Sequence, residues 1–257
     1  MPSVYIGIDV ACATGKRLPI CVVSPAHPIT PLSVPKHLAA AIPRGVGNQE
    51  ITAAAPFEKA AREVVGAVRR IEIEMGWRVE RIAIDAPASA PERGARASET
   101  ELGRRGLSSF RTPAKGVWAA IREQCAEHIR QGGTAASLPH ANKIWMLFGF
   151  ALFAQLRNDL QAEVIEVYPF AIVRELLPRC QHKSTEKGYR DQFDAVAART
   201  GWDDPAKLEA SLKAAVPGSR HDRLDAFIAA WVASLSVEQR RAIGDAKRPD
   251  DAIWVPL

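Results

Sequence analysis

The chain has 257 residues, 47% of them hydrophobic and 25% charged, with a formal net charge of +5. Those fractions lie in the globular range and suffice for a core of ordinary density, which excludes a disordered or low-complexity chain. The basic balance is compatible with a polyanionic partner without demanding one.

Two expectations about location follow. No run approaches the ~20 apolar residues of a membrane span, and no basic segment followed by an apolar stretch and a cleavage site opens the chain. A soluble, cytoplasmic protein with no membrane partner is expected.

Val4 to Val10 reads as a strand, and its run Val4-Tyr5-Ile6-Gly7-Ile8-Asp9 ends in a carboxylate. Thr14-Gly15-Lys16-Arg17 reads as a turn, and Leu18 to Val23 as a second strand returning antiparallel. In the proline-rich stretch from Pro25 to Pro43, the residues Pro25, Pro28, Pro31 and Pro35 forbid a helix and permit at most a short edge strand. Pro56 to Met75 turns helical, with Ala60, Val64, Ala67, Val68 and Ile71 on one side. Arg81 to Asp85 repeats the phrase of the first strand, an apolar run that ends in an acid.

The segment from Pro87 to Leu160 carries helical texture almost throughout: Glu92 to Arg105, Val117 to Gln131 and Asn142 to Leu160. Glu163 to Tyr168 reads as a further strand containing Glu166, and Pro169 allows a helix from Phe170 to Leu176. The remaining chain reads as helical, through Tyr189 to Thr200 and His221 to Leu235. In the last helix Leu224, Ile228, Trp231 and Leu235 form a stripe expected to pack on the sheet, and Asp222 and Asp225 share its flank. A blander role for Asp222 is capping, since Ser219-x-x-Asp222 is close to a capping box.

Two carboxylates about 4 Å apart repel by roughly 4 kcal/mol at an effective dielectric near 20, and a divalent cation between them reverses the sign. Asp9, Asp85, Glu166, Asp222 and Asp225 are therefore candidate metal ligands. Cys12, Cys21, Cys125 and Cys180 are far apart, and the histidines are dispersed without a His-x-x-x-His pair. Any metal would then be held by oxygen, which favours Mg²⁺ or Mn²⁺. Arg93, Arg96, Arg104 and Arg105, with Ser108-Ser109-Phe110-Arg111-Thr112-Pro113, could contact phosphate or stack on a base, Arg93 being nearest the strand end. Interspersed Glu92, Glu99 and Glu101 also suit a salt-bridged helix surface.

Gly7-Ile8-Asp9, Ile84-Asp85-Ala86-Pro87, Glu166-Val167-Tyr168-Pro169 and His221-Asp222-Arg223-Leu224-Asp225-Ala226 together resemble the predicted nucleases of ribonuclease H-like fold, domain of unknown function 429. A fainter similarity extends to Holliday-junction resolvases. The resemblance implies an α/β fold over residues 1–257, a mixed sheet flanked by helices with a helical elaboration at about 87–160. It also implies that Asp9 and Asp85 lie side by side and that the last helix brings Asp222 and Asp225 against them as catalytic acids. Glu166 becomes a further ligand or an acceptor for the neighbouring loop, and Lys187 sits where resolvases carry basic residues. The implied activity is two-metal hydrolysis of a nucleic-acid phosphodiester. The type of nucleic acid and any homodimer stay open. The rival readings are a non-catalytic scaffold and an ATP-dependent phosphotransferase, which would need a phosphate loop such as Ala13-Thr14-Gly15-Lys16 and a second copy of the core.

Overall fold

The computed structural model describes residues 1–10, 14–47, 55–107, 109 and 111–257. Cys12, Ala13, Ser108 and Phe110 lie outside the described residues. A mixed sheet of seven strands runs through the molecule in the order β3-β2-β1-β4-β5-β7-β6. Its strands are β1 (Ser3–Asp9), β2 (Ile20–Ser24), β3 (Thr30–Pro31), β4 (Arg78–Asp85), β5 (Glu163–Val167), β6 (Arg240–Gly244) and β7 (Ala252–Pro256). The central four, β1, β4, β5 and β7, run parallel, and antiparallel strands border them on both sides.

Nine α-helices are found among the described residues: α1 (Lys36–Ala41), α2 (Ala55–Met75), α3 (Ala97–Arg104), α4 (Lys115–Arg130), α5 (Ala141–Asp159), α6 (Pro169–Leu176), α7 (Glu186–Arg199), α8 (Pro205–Ala215) and α9 (Arg220–Ser234). No helix among the described residues is long and apolar enough to cross a membrane.

Strand alternation sorts the core into two layers. Ile6, Ile8, Ile82 and Ile84 pack with Val64 and Val68 of α2, Trp118 of α4 and Phe148 and Leu152 of α5. Ala83, Ile165, Val167 and Ile253 pack on the other face with Phe193 of α7 and Ala226, Phe227 and Ala230 of α9. The residues expected on the inner side of α2, Ala60, Val64, Ala67, Val68 and Ile71, are all buried.

Four expectations are corrected. The helix α1 forms inside the proline-rich stretch, because Pro35 stands at its N-cap and restricts the residues before it, not those after. Helical texture does not hold across Glu92 to Arg96: Pro91 and the left-handed Gly94 (φ 70°) delay α3 to Ala97. Two strands, β6 and β7, replace the helix expected after α9. Each is only five residues long, too short to display a period, and β7 takes its partner from β5. The fourth concerns α9, which is buried on almost every side from Leu224 to Ala233.

The face of α9 that meets the sheet is made of small residues, not of the Leu224, Ile228, Trp231, Leu235 stripe. A Cβ on Gly7 would collide with the backbone of Ala226, Ala229 and Ala230, so β1 and α9 approach closely only because that position is glycine. Arg81 of β4 ties the far end by donating to the carbonyl of Leu235 at 3.0 Å. Asp222 lies four residues before Ala226, and Asp225 four before Ala229. The small-residue face therefore runs into these acids one turn earlier, at the end of α9 that lies by the carboxyl end of β1.

Candidate metal and phosphate site

Asp9 and Asp85 are direct partners in the β1–β4 parallel register. They alternate with Ile8 and Ile84, so both side chains face the α9 layer. Adjacent strands lie about 4.8 Å apart, which places the two carboxylates side by side with no spacer. Among the described residues no hydrogen bond reaches either carboxylate.

Asp225 comes to them from α9, where it is 7% exposed. Burial, followed by the charges of Asp225, Asp85 and Asp222, pushes Asp9 well above the usual carboxylate range. Burial and Asp225 push Asp85 up to about 8. Asp225 is also raised, by burial, although Lys183 opposes the rise. These three acids share one electrostatic environment, in which Asp225 disfavours charge on Asp9 and Asp85, and Asp85 on Asp9.

Lys183 enters this group from the segment between α6 and α7. Its ammonium donates to Asp225 Oδ2. Burial pulls the amine down, and Asp225, Asp85 and Asp9 outweigh that pull and hold it above its ordinary range. Spacing within the segment gave no sign of this role. The earlier candidate, Lys187, is exposed on the first turn of α7 and pairs with Asp191 at 2.7 Å. A shift of four residues separates the lysine that reaches the acids from the one that faces solvent.

Asp222 caps its own helix. Its Oδ2 accepts the Ser219 N–H at 2.9 Å while its N–H donates to Ser219 Oγ at 3.3 Å. It stays near enough to raise Asp9, but one oxygen already has a structural partner.

Glu166 points to the opposite face. It pairs in register with Ile84, so it follows the side chains of the α2 and α5 layer. Its carboxylate accepts from Arg96 Nη1 at 2.8 Å and from the Ala88 N–H at 2.8 Å, with Arg96 Nη2 as a third donor. Burial raises Glu166, and Arg96 counters most directly. The structure thus places Glu166 on an arginine and the neighbouring loop.

Arg96 is buried on Glu166, whereas Arg93 and Arg104 are exposed. Arg105 pairs with Glu101 and Glu175, as a salt-bridged surface requires. A cleft opens beside the acids, lined by Asp85, Trp145, Tyr168, Ser109 and Thr112 over the Arg96–Glu166 pair. Burial, with the charges of Asp85 and Asp225, pushes the Tyr168 hydroxyl up to about 12.

The donor chemistry, three carboxylates, fits a hard divalent cation. Among the described residues, however, no three His, Cys, Asp or Glu side chains converge closely enough to hold a metal ion as they stand. The compensating charge in this arrangement is Lys183.

A family model described as protein of unknown function (DUF429) matches residues 35–251. The chain belongs to the DUF429 family. The matched region of this DUF429 chain contains Asp85, Glu166, Lys183, Asp222 and Asp225, and Asp9 precedes it. No curated protein and no solved structure matches the chain.

Proposed function

We propose that this protein is a nuclease of ribonuclease H-like architecture that hydrolyses a nucleic-acid phosphodiester with Mg²⁺ or Mn²⁺. The observation that carries the reading is the direct pairing of Asp9 with Asp85 in register, both facing Asp225. Acidic groups held together with no hydrogen bond to their carboxylates among the described residues suit a cation far better than they suit a structural role.

Asp9 and Asp85 would hold the cation from the sheet edge, and Asp225 would close the site from α9. A bound divalent cation supplies Lewis acidity, lowering the pKa of water and stabilising charge on phosphate oxygens. In the hydrolysis a water oxygen forms a bond to phosphorus and the ester P–O bond breaks. The water's proton passes to a carboxylate or to solvent, and the leaving oxygen takes one up. The cleft between Trp145 and Tyr168 offers aromatic surface to a base next to that phosphate. The +5 balance favours a polyanion.

One observation favours a second reading, a non-catalytic scaffold: Lys183 already neutralises part of the acid group. The deciding experiment is a screen of single strands, duplexes, RNA–DNA hybrids and branched junctions with Mn²⁺, Mg²⁺ and Ca²⁺. Cleavage is expected with Mn²⁺ and Mg²⁺ and not with Ca²⁺, whose looser coordination orients water poorly. If nothing is cut and nothing binds at low salt, the scaffold replaces the nuclease.

A further inference from the structure

We infer that the groove along α3 carries a single nucleic-acid strand toward the acids, its phosphates on Arg93, Arg104 and Arg111, so that the substrate is a single strand and not a duplex. The inference names a substrate class for the nuclease reading above and rests on it only for placing the scissile phosphate beside Asp85.

Two hollows meet beside α3. One is the cleft lined by Asp85, Trp145 and Tyr168. The other passes over Thr100, Gly103 and Leu107 to Arg111. Glu99 and Ser109 line both, so among the described residues the two adjoin.

Charge sorts this path. From Glu92 to Lys115 the chain carries six basic residues against three acids, and each acid is already engaged. Glu92 pairs with Lys115, and Glu101 with Arg105 and the Gly244 N–H. Glu99, its side chain 7% exposed, accepts from the Thr112 N–H at 3.1 Å and lies 3.7 Å from Arg96 Nη1. Arg93, Arg104 and Arg111 are exposed, and among the described residues no hydrogen bond or ion pair reaches their side chains. Arg111 lines the groove itself. Arg104 shares the side of α3 that Thr100 presents, one turn on, and Arg93 stands two residues before Ala95, another groove residue. Three such guanidiniums suit phosphate oxygens, which they meet through paired donors.

The hollow that the groove leads to selects a single strand. A cleft that passes Trp145 and Tyr168 above the buried Arg96–Glu166 pair admits a base only when that base has left its stack. A single strand turns a base out readily, and a duplex only by unpairing and unstacking it. A positive groove that continues into aromatic surface is the arrangement that holds a strand without reading its sequence.

The test is fluorescence anisotropy of the intact chain, without divalent metal, on a labelled oligo-dT strand and on a duplex of equal length across a range of salt. The strand is expected to bind about tenfold more tightly than the duplex or better. Replacing Arg93, Arg104 and Arg111 together by Ala should weaken strand binding by about tenfold or more and lower the slope of log affinity against log salt by about two, at about 0.7 for each contact. Gly103→Glu sets a carboxylate in the groove, where an added Cβ meets nothing within 4 Å, and exchanges a helical glycine for a better helix former. It should therefore fold and weaken the strand as well. Lys59→Ala with Arg70→Ala removes two exposed charges from a separate groove on α2 and should leave strand affinity within about threefold. Equal or tighter binding of the duplex overturns the inference, as does strand binding unchanged in both groove variants or displacement of the strand by poly-glutamate at equal charge. Cleavage of duplexes and not of single strands with Mn²⁺ also overturns it and leaves the nuclease reading standing. Groove-dependent strand binding with no cleavage of any substrate removes the nuclease reading and keeps the single-strand groove.

Discussion

Acids stand near the carboxyl ends of neighbouring strands on both faces of the sheet, and the two faces treat them in opposite ways. On the α2 and α5 side, Glu166 is buried at 3% exposure and receives hydrogen bonds from Arg96 and the Ala88 N–H. On the α9 side, among the described residues, Asp9 and Asp85 lie together with no hydrogen bond to their carboxylates, beside Asp225 and its partner Lys183. A buried acid with its own arginine and a backbone donor serves stability. On the proposed reading, the acids whose pKa values are raised by their neighbours are the ones that would hold a cation.

The largest expected effect breaks the comparison on the α9 side. Asp225→Asn should lower Mn²⁺-dependent cleavage by on the order of a thousandfold, since several kcal/mol of transition-state stabilisation goes with the cation. Nucleic-acid affinity should hold within a few-fold, because phosphate contacts come from basic groups. Single-turnover kinetics beside filter binding check this, and an equal loss in both would mean that Asp225 only supports the fold.

Glu166→Ala should act in the opposite sense. It leaves buried Arg96 with Glu99 at 3.7 Å as its remaining carboxylate partner, and breaking a buried pair from one side costs up to about 3–5 kcal/mol. Urea denaturation measures it. A cost below about 1 kcal/mol would put Glu166 among the functional acids after all. Gly7→Ala should cost about 1–3 kcal/mol through overpacking against the α9 backbone. It should also weaken Mn²⁺ binding, because displacing α9 moves Asp225 away from β1.

A pH profile sharpens the contrast further. Asp85 is raised from 3.8 to about 8 in the fold, so between these values the native state holds a proton that the unfolded chain has lost. Stability from this group is full below about 4 and is lost as pH rises through about 8. The groups acting on it are burial, Asp225 on α9, Lys183 on the α6–α7 segment and Glu166 on β5. Metal-free protein should therefore melt at lower temperature at pH 8 than at pH 5, and Asp85→Asn should flatten that slope. Asp9→Asn should leave the metal-free fold as stable as the wild type or more so at pH 8, for the same reason. A profile unchanged by Asp85→Asn contradicts the sharing of charge described here. The smallest effect belongs to Lys187→Ala, which removes a solvent-exposed pair with Asp191 and should change stability by less than about 0.5 kcal/mol and Mn²⁺ affinity not at all.

The strand pair that ends in Asp9 and Asp85, the inner side of α2 and the cap at Asp222 were all legible in the sequence. Each depends on a local pattern: an apolar run closed by an acid, a helical period, or a serine three residues before an aspartate. The partner of Glu166, the identity of the lysine at the acids and the insertion of β7 beside β5 came only from the tertiary structure. Arg96 lies 70 residues from Glu166, Lys183 lies 42 from Asp225, and β7 joins a strand formed some ninety residues before it. No local period encodes such contacts. The alternation of side chains along β5 settles which face receives Glu166, and that face decides whether a strand-end acid meets an arginine or other acids.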